Sequence, residues 1–385
     1  MSILHTYQKP SATHQHKPSP VRAPIFAALE QTKDYYRYHL SKNELAREYL
    51  YRRGFDDAII NKFEIGLSPN GYNQLLAQAN NKVWRSNIQR SLTYSLNQEQ
   101  LTDTIHALLE MGGVLKINPS GEMSDRFRER IIFPIKNSNG DTVSFGGRHY
   151  LPEKFGPKYL NGSDSAVFKK HNVIFGANFL KPDSHYDSII VSEGYMDVAT
   201  MHQFGIENSV GTMGTAIASG QIESLFEFTN HLIFCFDGDE AGTKAANRAV
   251  KNARQTLSGN RKVSVVFLPD GHDPDSILRK DTNGTPLTPQ LIQDGVDSFF
   301  QLLDNAISIE NYLAQLALTE LNVEWGENMQ QVMAHLLNDS MMTPSDSEVG
   351  KNLLNFVKNQ AHSTLLKQEG VDNDQLVDWV KQHSI

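Results

Sequence analysis

Cysteine is almost missing from this sequence, with one residue, Cys235, in 385. No disulfide can form within the chain, and no cysteine-built zinc site can be assembled from it. Cys235 sits inside the apolar run LIFCF, which reads as a buried core thiol rather than a nucleophile. Long hydrophobic runs are missing too. None reaches the roughly 20 residues that span a bilayer, and no signal-peptide pattern opens the chain. The expected location is therefore the cytoplasm. An excess of positive charge is also lacking. The net charge is −8, which taken alone argues against a nucleic-acid ligand.

The distribution of that charge argues the other way. From residue 301 onward there are 12 acidic and 4 basic residues, so this stretch carries the whole deficit. The first 300 residues hold 32 of each sign, and residues 126–175 hold nine Lys and Arg against four acids. A basic region and an acidic cluster on a neutral body suit an enzyme that handles polyanions and metal ions together.

Residues 1–22 are polar and rich in Pro, Ser and His without hydrophobic period, and read as a flexible arm or linker. His5, His14 and His16 lie there without Cys or acidic companions at ligand spacing. Residues 23–185 read as a mixed α/β subdomain. PIFAALEQTKDYYRYHL and ELAREYLYRRGF carry apolar residues at helical spacing, the second stopping at Gly54. RERIIFPIKNSNGDTVSFGGRHY reads as a β-hairpin about NSNGD. From 186 to 290 strands and helices alternate. SIIVS, NSVGTM, HLIFCF and KVSVVFLP are each followed by a helical pattern, which predicts a parallel sheet flanked by helices. Residues 291–385 read as all helix. The fold class is α/β, or α+β overall.

In an open parallel sheet, ligands bind beyond the carboxyl ends of the strands. Here those ends are acidic. SIIVS runs into Glu193, with Asp197 one turn into the next helix. HLIFCF runs into Asp237 and Asp239, and KVSVVFLP into Asp270, Asp273 and Asp275. NSVGTM ends instead in GTA (214–216), whose backbone could approach a phosphate. So many like charges repel unless cations sit between them, and hard oxygen ligands favour Mg²⁺ or Mn²⁺ over zinc.

EGYMDV (193–198), the GTA after the second strand and FDGDEAG (236–242) resemble the topoisomerase–primase (TOPRIM) domain. LPDGHDPDSILRK, and upstream YLYRRGF, FEIGLSP, DRFRERIIFPI, VSFGGR and PKYLNGSDSAVFKK, resemble bacterial DnaG-type primases over roughly residues 46–285, in the family's order. The resemblance implies a TOPRIM-type sheet and primer synthesis on single-stranded DNA from ribonucleoside triphosphates. It implies metal ligation by Glu193, Asp237 and Asp239 and supporting roles for Asp197, Asp273 and Asp275, with Asp273 also reaching the metal. Glu193 is also a candidate general base. The basic ridge of the family maps to Arg53, Arg148, Lys158, Tyr159 and Lys170. Arg126, Arg128 and Arg130 alternate along a strand edge and are not separable by sequence from packing and surface charges.

The chain departs from the family in having no Cys or Cys/His set for the zinc ribbon that usually opens such primases. The family's terminal helical domain docks the replicative helicase, and LLKQEGVDNDQLVDWVKQ resembles one of its helical hairpins. Two rivals share the fold. One is a TOPRIM nuclease or topoisomerase, which would cleave rather than join. The other is a non-catalytic replication or loading factor, which the intact acids disfavour.

Overall fold

The computed structural model describes residues 22–151, 156–214, 216–280, 288–313, 316, 343–344, 347–353 and 355. The arm with its three histidines and the LLKQEGVDNDQLVDWVKQ segment lie outside the described residues.

The amino-terminal subdomain begins with α1 (Ala23–Ser41) and α2 (Glu44–Arg52). Pro24 occupies the first turn of α1, where its missing N–H costs nothing, and Ile25, Ala28, Leu29, Tyr36 and Leu40 fall on one buried face. Asn43 caps α2 by accepting from the Ala46 N–H at 2.9 Å. Then follow α3 (Asp57–Lys62), β1 (Gly66–Ser68), α4 (Lys82–Ser91), α5 (Gln98–Met111), β2 (Leu115–Ile117) and β3 (Met123–Asp125). The foreseen hairpin is β4 (Arg130–Lys136) against β5 (Thr142–Arg148). With β6 (Tyr159–Asn161) it forms an antiparallel sheet of order β1-β4-β5-β6. Strand β1 was not legible, because three residues are too few to show a period.

The alternating region forms β7 (Ile189–Ser192), α6 (Tyr195–Gln203), β8 (Ser209–Gly211), α7 (Ser219–Leu225), β9 (His231–Phe236), α8 (Glu240–Ala253), β10 (Lys262–Phe267) and α9 (Pro274–Arg279). After α10 (Pro289–Asp304) comes β11 (Ile307–Ser308). The sheet order is β11-β10-β9-β7-β8, with β8, β7, β9 and β10 mutually parallel. Strand β11 corrects the all-helical reading of 291–385. Ile307, which is β-branched, pairs antiparallel with Val265, and Ser308 with Ser264, and the two close the outer edge of the sheet.

Strand alternation sorts the core. Ile189, Val191, Leu232, Phe234, Val263 and Val265 face α7 and α8. Ile190, Ile233, Cys235 and Val266 face the other way, into one apolar cluster with Met196 and Val198 of α6 and with Ile131, Phe133 and Ile135 of β4. That second cluster joins the two sheets. Phe299 of α10 is fully buried in it, and Gly295 lies so close to the Leu278 carbonyl that a Cβ would come within 1.9 Å. The opposite face of β4 and β5 packs Ile132 and Phe145 against α1, α4 and α5. No helix among the described residues is long and apolar enough to cross a membrane.

Candidate active site

The chain leaves β7 for β8 on one side and reaches β9 on the other, so the order reverses between β7 and β9. Such a switch point opens a crevice at the carboxyl ends of the strands. Glu193 leaves β7 there and Asp237 leaves β9, and the Asp237 N–H donates to Glu193 Oε1 at 3.2 Å. The loops after β9 and β10 are stitched together. The Gly238 N–H donates to the His272 carbonyl and the Gly271 N–H to the Gly238 carbonyl, each at 2.8 Å. Position 238 must be glycine, because a Cβ would meet the Pro269 carbonyl oxygen at 2.1 Å. This stitch carries Asp273 towards the β7 and β9 acids.

Three acids also cap helices. Asp239 accepts from the Gly242 N–H at the start of α8, and Asp273 from the Ser276 N–H at the start of α9, both at 2.7 Å. Asp197 reaches back to the Gly194 N–H at 2.9 Å. Capping uses one oxygen of each of these contacts and leaves a second lone-pair set on the carboxylate.

The electrostatics are those of crowded anions. Burial, then Glu193, Asp273 and Asp239, push Asp237 up to about 7, against a smaller downward pull from Lys158. Its Oδ1 is buried with no hydrogen-bond partner. Burial also raises Glu193, with Asp239 adding to the rise. Buried Asp197 is held well above the ordinary carboxylate range by burial and by Asp237, Asp273 and Asp275. Glu193, Asp197, Asp237, Asp239 and Asp273 therefore share one field. Among the described residues, however, no three His, Cys, Asp or Glu side chains are gathered as a ready-made ligand cage.

Asp275 is different. Its carboxylate is buried and ion-paired with Arg279 at 2.7 Å and Arg53 at 2.8 Å. Arg53 of the predicted ridge thus meets an acid of the predicted site. Arg148 and Tyr159 come together across β5 and β6, the guanidinium donating to the phenol oxygen at 2.5 Å. The exposed Lys158 ammonium stands 5.6 Å from the Tyr159 ring centre and within electrostatic reach of Asp237. Lys170 opens a short 3-10 turn, Lys170–Asn172. Its backbone N–H donates to Asp164 at 3.2 Å, and burial lowers its ammonium pKa against an opposing pull from Asp164. In the loop after β8, Met213 and Gly214 are both left-handed (φ 61° and 74°), and the Gly214 N–H is already bound to the Glu193 carbonyl at 2.9 Å. Thr215 of the GTA lies outside the described residues.

The three arginines left ambiguous by sequence gain a neighbour that the sequence reading missed, Tyr72. Arg126, Arg128 and Arg130 line a groove of about 390 Å³ together with Tyr72, Lys116 and His149. Arg128 lies 4.3 Å from the ring centre of Tyr72, whose surface is 66% exposed. Arg130 is buried instead, donating to the Gly147, Pro157 and Lys158 carbonyls, so it braces the segment that carries Lys158. Tyr72 stands 54 positions before Arg126, and nothing local in GYNQLL marks it.

Residues 35–181 match the family described as DNA primase catalytic core, N-terminal domain, and residues 187–267 match the Toprim domain. A DNA primase of Pasteurella multocida is 36% identical over 290 residues, 75% of this chain and 44% of that protein. The chain spans about half the length of the curated relatives it matches. A DNA primase domain from Pseudomonas aeruginosa superposes with a TM-score of 0.71 at 28% identity, covering 93% of this chain and all of that one. A DnaG primase catalytic domain bound to single-stranded DNA gives 0.70 at 27% identity, covering 88% and 98%. With both domains matched in order and the same fold shared along nearly its whole length, the chain belongs to the DnaG-type primase family, whose catalytic core it carries.

Proposed function

We propose that this chain is a DNA-directed RNA polymerase that lays short RNA primers on single-stranded DNA. The observation that carries this reading is the orphaned, buried Oδ1 of Asp237, set among Glu193, Asp239 and Asp273 where burial and like charge hold its pKa near 7. An acceptor without a donor in such a field fits a divalent cation. Glu193, Asp237, Asp239 and Asp273 are the residues that would hold Mg²⁺ or Mn²⁺. Such an ion supplies Lewis-acid polarisation of a phosphate and offsets its charge.

The remaining roles fall to the protein's own groups. A 3′-hydroxyl attacks the α-phosphate of a ribonucleoside triphosphate, its O–P bond forms, and pyrophosphate departs. Glu193, raised above the ordinary range, is suited to take the hydroxyl proton. Lys158 and Arg148 supply positive charge beside the departing pyrophosphate, with Tyr159 fixing the Arg148 guanidinium. Tyr72 offers an exposed face on which a template base stacks, and Arg128 beside it meets the backbone phosphates, while Arg126 donates to the Asn161 carbonyl and braces the groove wall. The similar DnaG catalytic domain bound to single-stranded DNA supports a template in this role.

The test incubates the chain with single-stranded DNA, Mg²⁺ and labelled ribonucleotides and resolves the products by length. The wild type should yield short RNA. Asp237→Ala and Asp239→Ala should lose on the order of 10²–10³-fold in rate, the equivalent of several kcal/mol of ion-borne stabilisation, while circular dichroism stays native. Wild-type synthesis by both variants would remove the site assignment. Mg²⁺-dependent DNA breakdown with ribonucleotides ignored would replace the polymerase by a nuclease.

A further inference from the structure

Asp275 has no oxygen to spare. Oδ1 accepts from the Thr200 hydroxyl at 2.6 Å and from Arg279 Nε at 2.8 Å. Oδ2 accepts from Arg279 Nη2 at 2.7 Å and from Arg53 Nη1 at 2.8 Å. The residue is 1% exposed, and although burial opposes ionisation, these partners hold it below the ordinary carboxylate range. The donors come from three elements. Thr200 is on α6, Arg279 closes α9, and Arg53 caps the end of α2, 222 positions away in sequence. Every lone-pair direction a cation would use faces a hydroxyl or a guanidinium.

Arg53 is held differently. Its side chain is 28% exposed, its guanidinium lies 5.9 Å from the Tyr49 ring centre, and it shares a field with Tyr159, the partner of Arg148. One of its five N–H donors is taken by Asp275. Arg53 therefore stands at the edge of the Arg148–Tyr159–Lys158 cluster with its direction set by the acid behind it.

We propose that Asp275 is a positioning residue rather than an ion ligand: it latches Arg53 of the amino-terminal subdomain to α6 and α9 and aims that guanidinium at the polyphosphate of the incoming nucleotide. The polyphosphate part rests on the nucleotidyl-transfer reading, whereas the latch does not.

The experiment takes the full chain as wild type, Asp275→Asn, Arg53→Gln, Arg53→Lys, the Asp275→Asn/Arg53→Gln double variant and Glu193→Gln. Calorimetric titration with Mn²⁺ alone should give Asp275→Asn the wild-type stoichiometry and a Kd within about twofold, while Glu193→Gln loses uptake. Both Asp275→Asn and Arg53→Gln should raise the ribonucleotide KM by roughly tenfold, and the double variant by no more than either alone, as expected of two groups acting as one unit. Arg53→Lys, which keeps the charge, should recover part of the loss. A bound Mn²⁺ lost with Asp275→Asn, an unchanged KM in Arg53→Gln, or additive losses in the double variant would overturn the proposal. Arg53→Gln leaves the Asp275–Thr200–Arg279 bonds in place and keeps the test open if Asp275→Asn does not fold. If the wild type neither takes up Mn²⁺ nor adds nucleotides, the reaction assigned above is what fails. The latch is then judged on thermal midpoints, where non-additive losses in the Arg53/Asp275 cycle support it and additive losses overturn it.

Discussion

Replacing Asp237 by Asn should stabilise this protein while disabling it. Unfolded, the carboxyl titrates near 3.8; folded and without metal, it is pushed to about 7. The sign follows from proton counts. Between those values the folded state binds the proton that the unfolded state has released, so stability falls as pH rises through this window and is lowest above 7. The gap corresponds to an upper bound of about 4 kcal/mol. Sharing of charge among Glu193, Asp239 and Asp273, and the partial access of solvent to Asp237, reduce the expected gain to about 1–2 kcal/mol at pH 8. The amide removes the charge and keeps the shape. At about 2–4 °C per kcal/mol for a unit of this size, the metal-free variant should melt roughly 2–8 °C above wild type at pH 8. At pH 5 only about a third of the window has been crossed, so the gain should shrink to about a third. Saturating Mg²⁺ should abolish or reverse it, because only the wild type gains from the ion. Scanning calorimetry or fluorimetry at both pH values, with EDTA and with Mg²⁺, reads all of this. A variant no more stable than wild type at pH 8, or equally stabilised at pH 5 and pH 8, would refute the electrostatic argument.

Other outcomes test other parts of the molecule. Tyr72→Ala should weaken single-stranded DNA binding by about 1–3 kcal/mol, the worth of one base stacked on an aromatic ring, as read by fluorescence anisotropy at fixed salt. Arg128→Ala, assayed the same way, should lower the slope of log affinity against log salt by about 1. Lys158→Ala should raise the ribonucleotide KM and leave Mn²⁺ uptake unchanged; an unaltered KM would count against its place beside the pyrophosphate. Gly146→Ala should cost about 1–3 kcal/mol, since its Cβ would come within 2.3 Å of the Tyr195 ring, and urea unfolding measures that loss.

Much of this architecture was legible because it rests on local pattern. Buried runs such as HLIFCF, each ending directly in an acid, announce both a parallel strand and the edge where chemistry sits. The three acids after β7 and β9 were placed together by topology alone. What was hidden depends on separation or brevity. The Arg53–Asp275 pair joins positions 222 apart, and no periodicity registers such a bond. Tyr72 is one aromatic in a loop, meaningful only once Arg128 lies over it. Strands β1 and β11 have three and two residues, too few to show alternation. The carboxylate of Asp164 that accepts from the Lys170 backbone N–H lies six positions away across a loop, and no periodicity announces it.

The apolar cluster shared by the two sheets decides what kind of machine this is. Ile190, Ile233 and Cys235 on one side and Ile131, Phe133 and Ile135 on the other are packed as a single interior. Prying them apart would wet a broad oily face, so a hinge between the arginine-lined groove and the acids is energetically closed. A ligand lying across both must therefore fit a rigid anvil, and a fragment severed near residue 186 would present that greasy flank to water and clump.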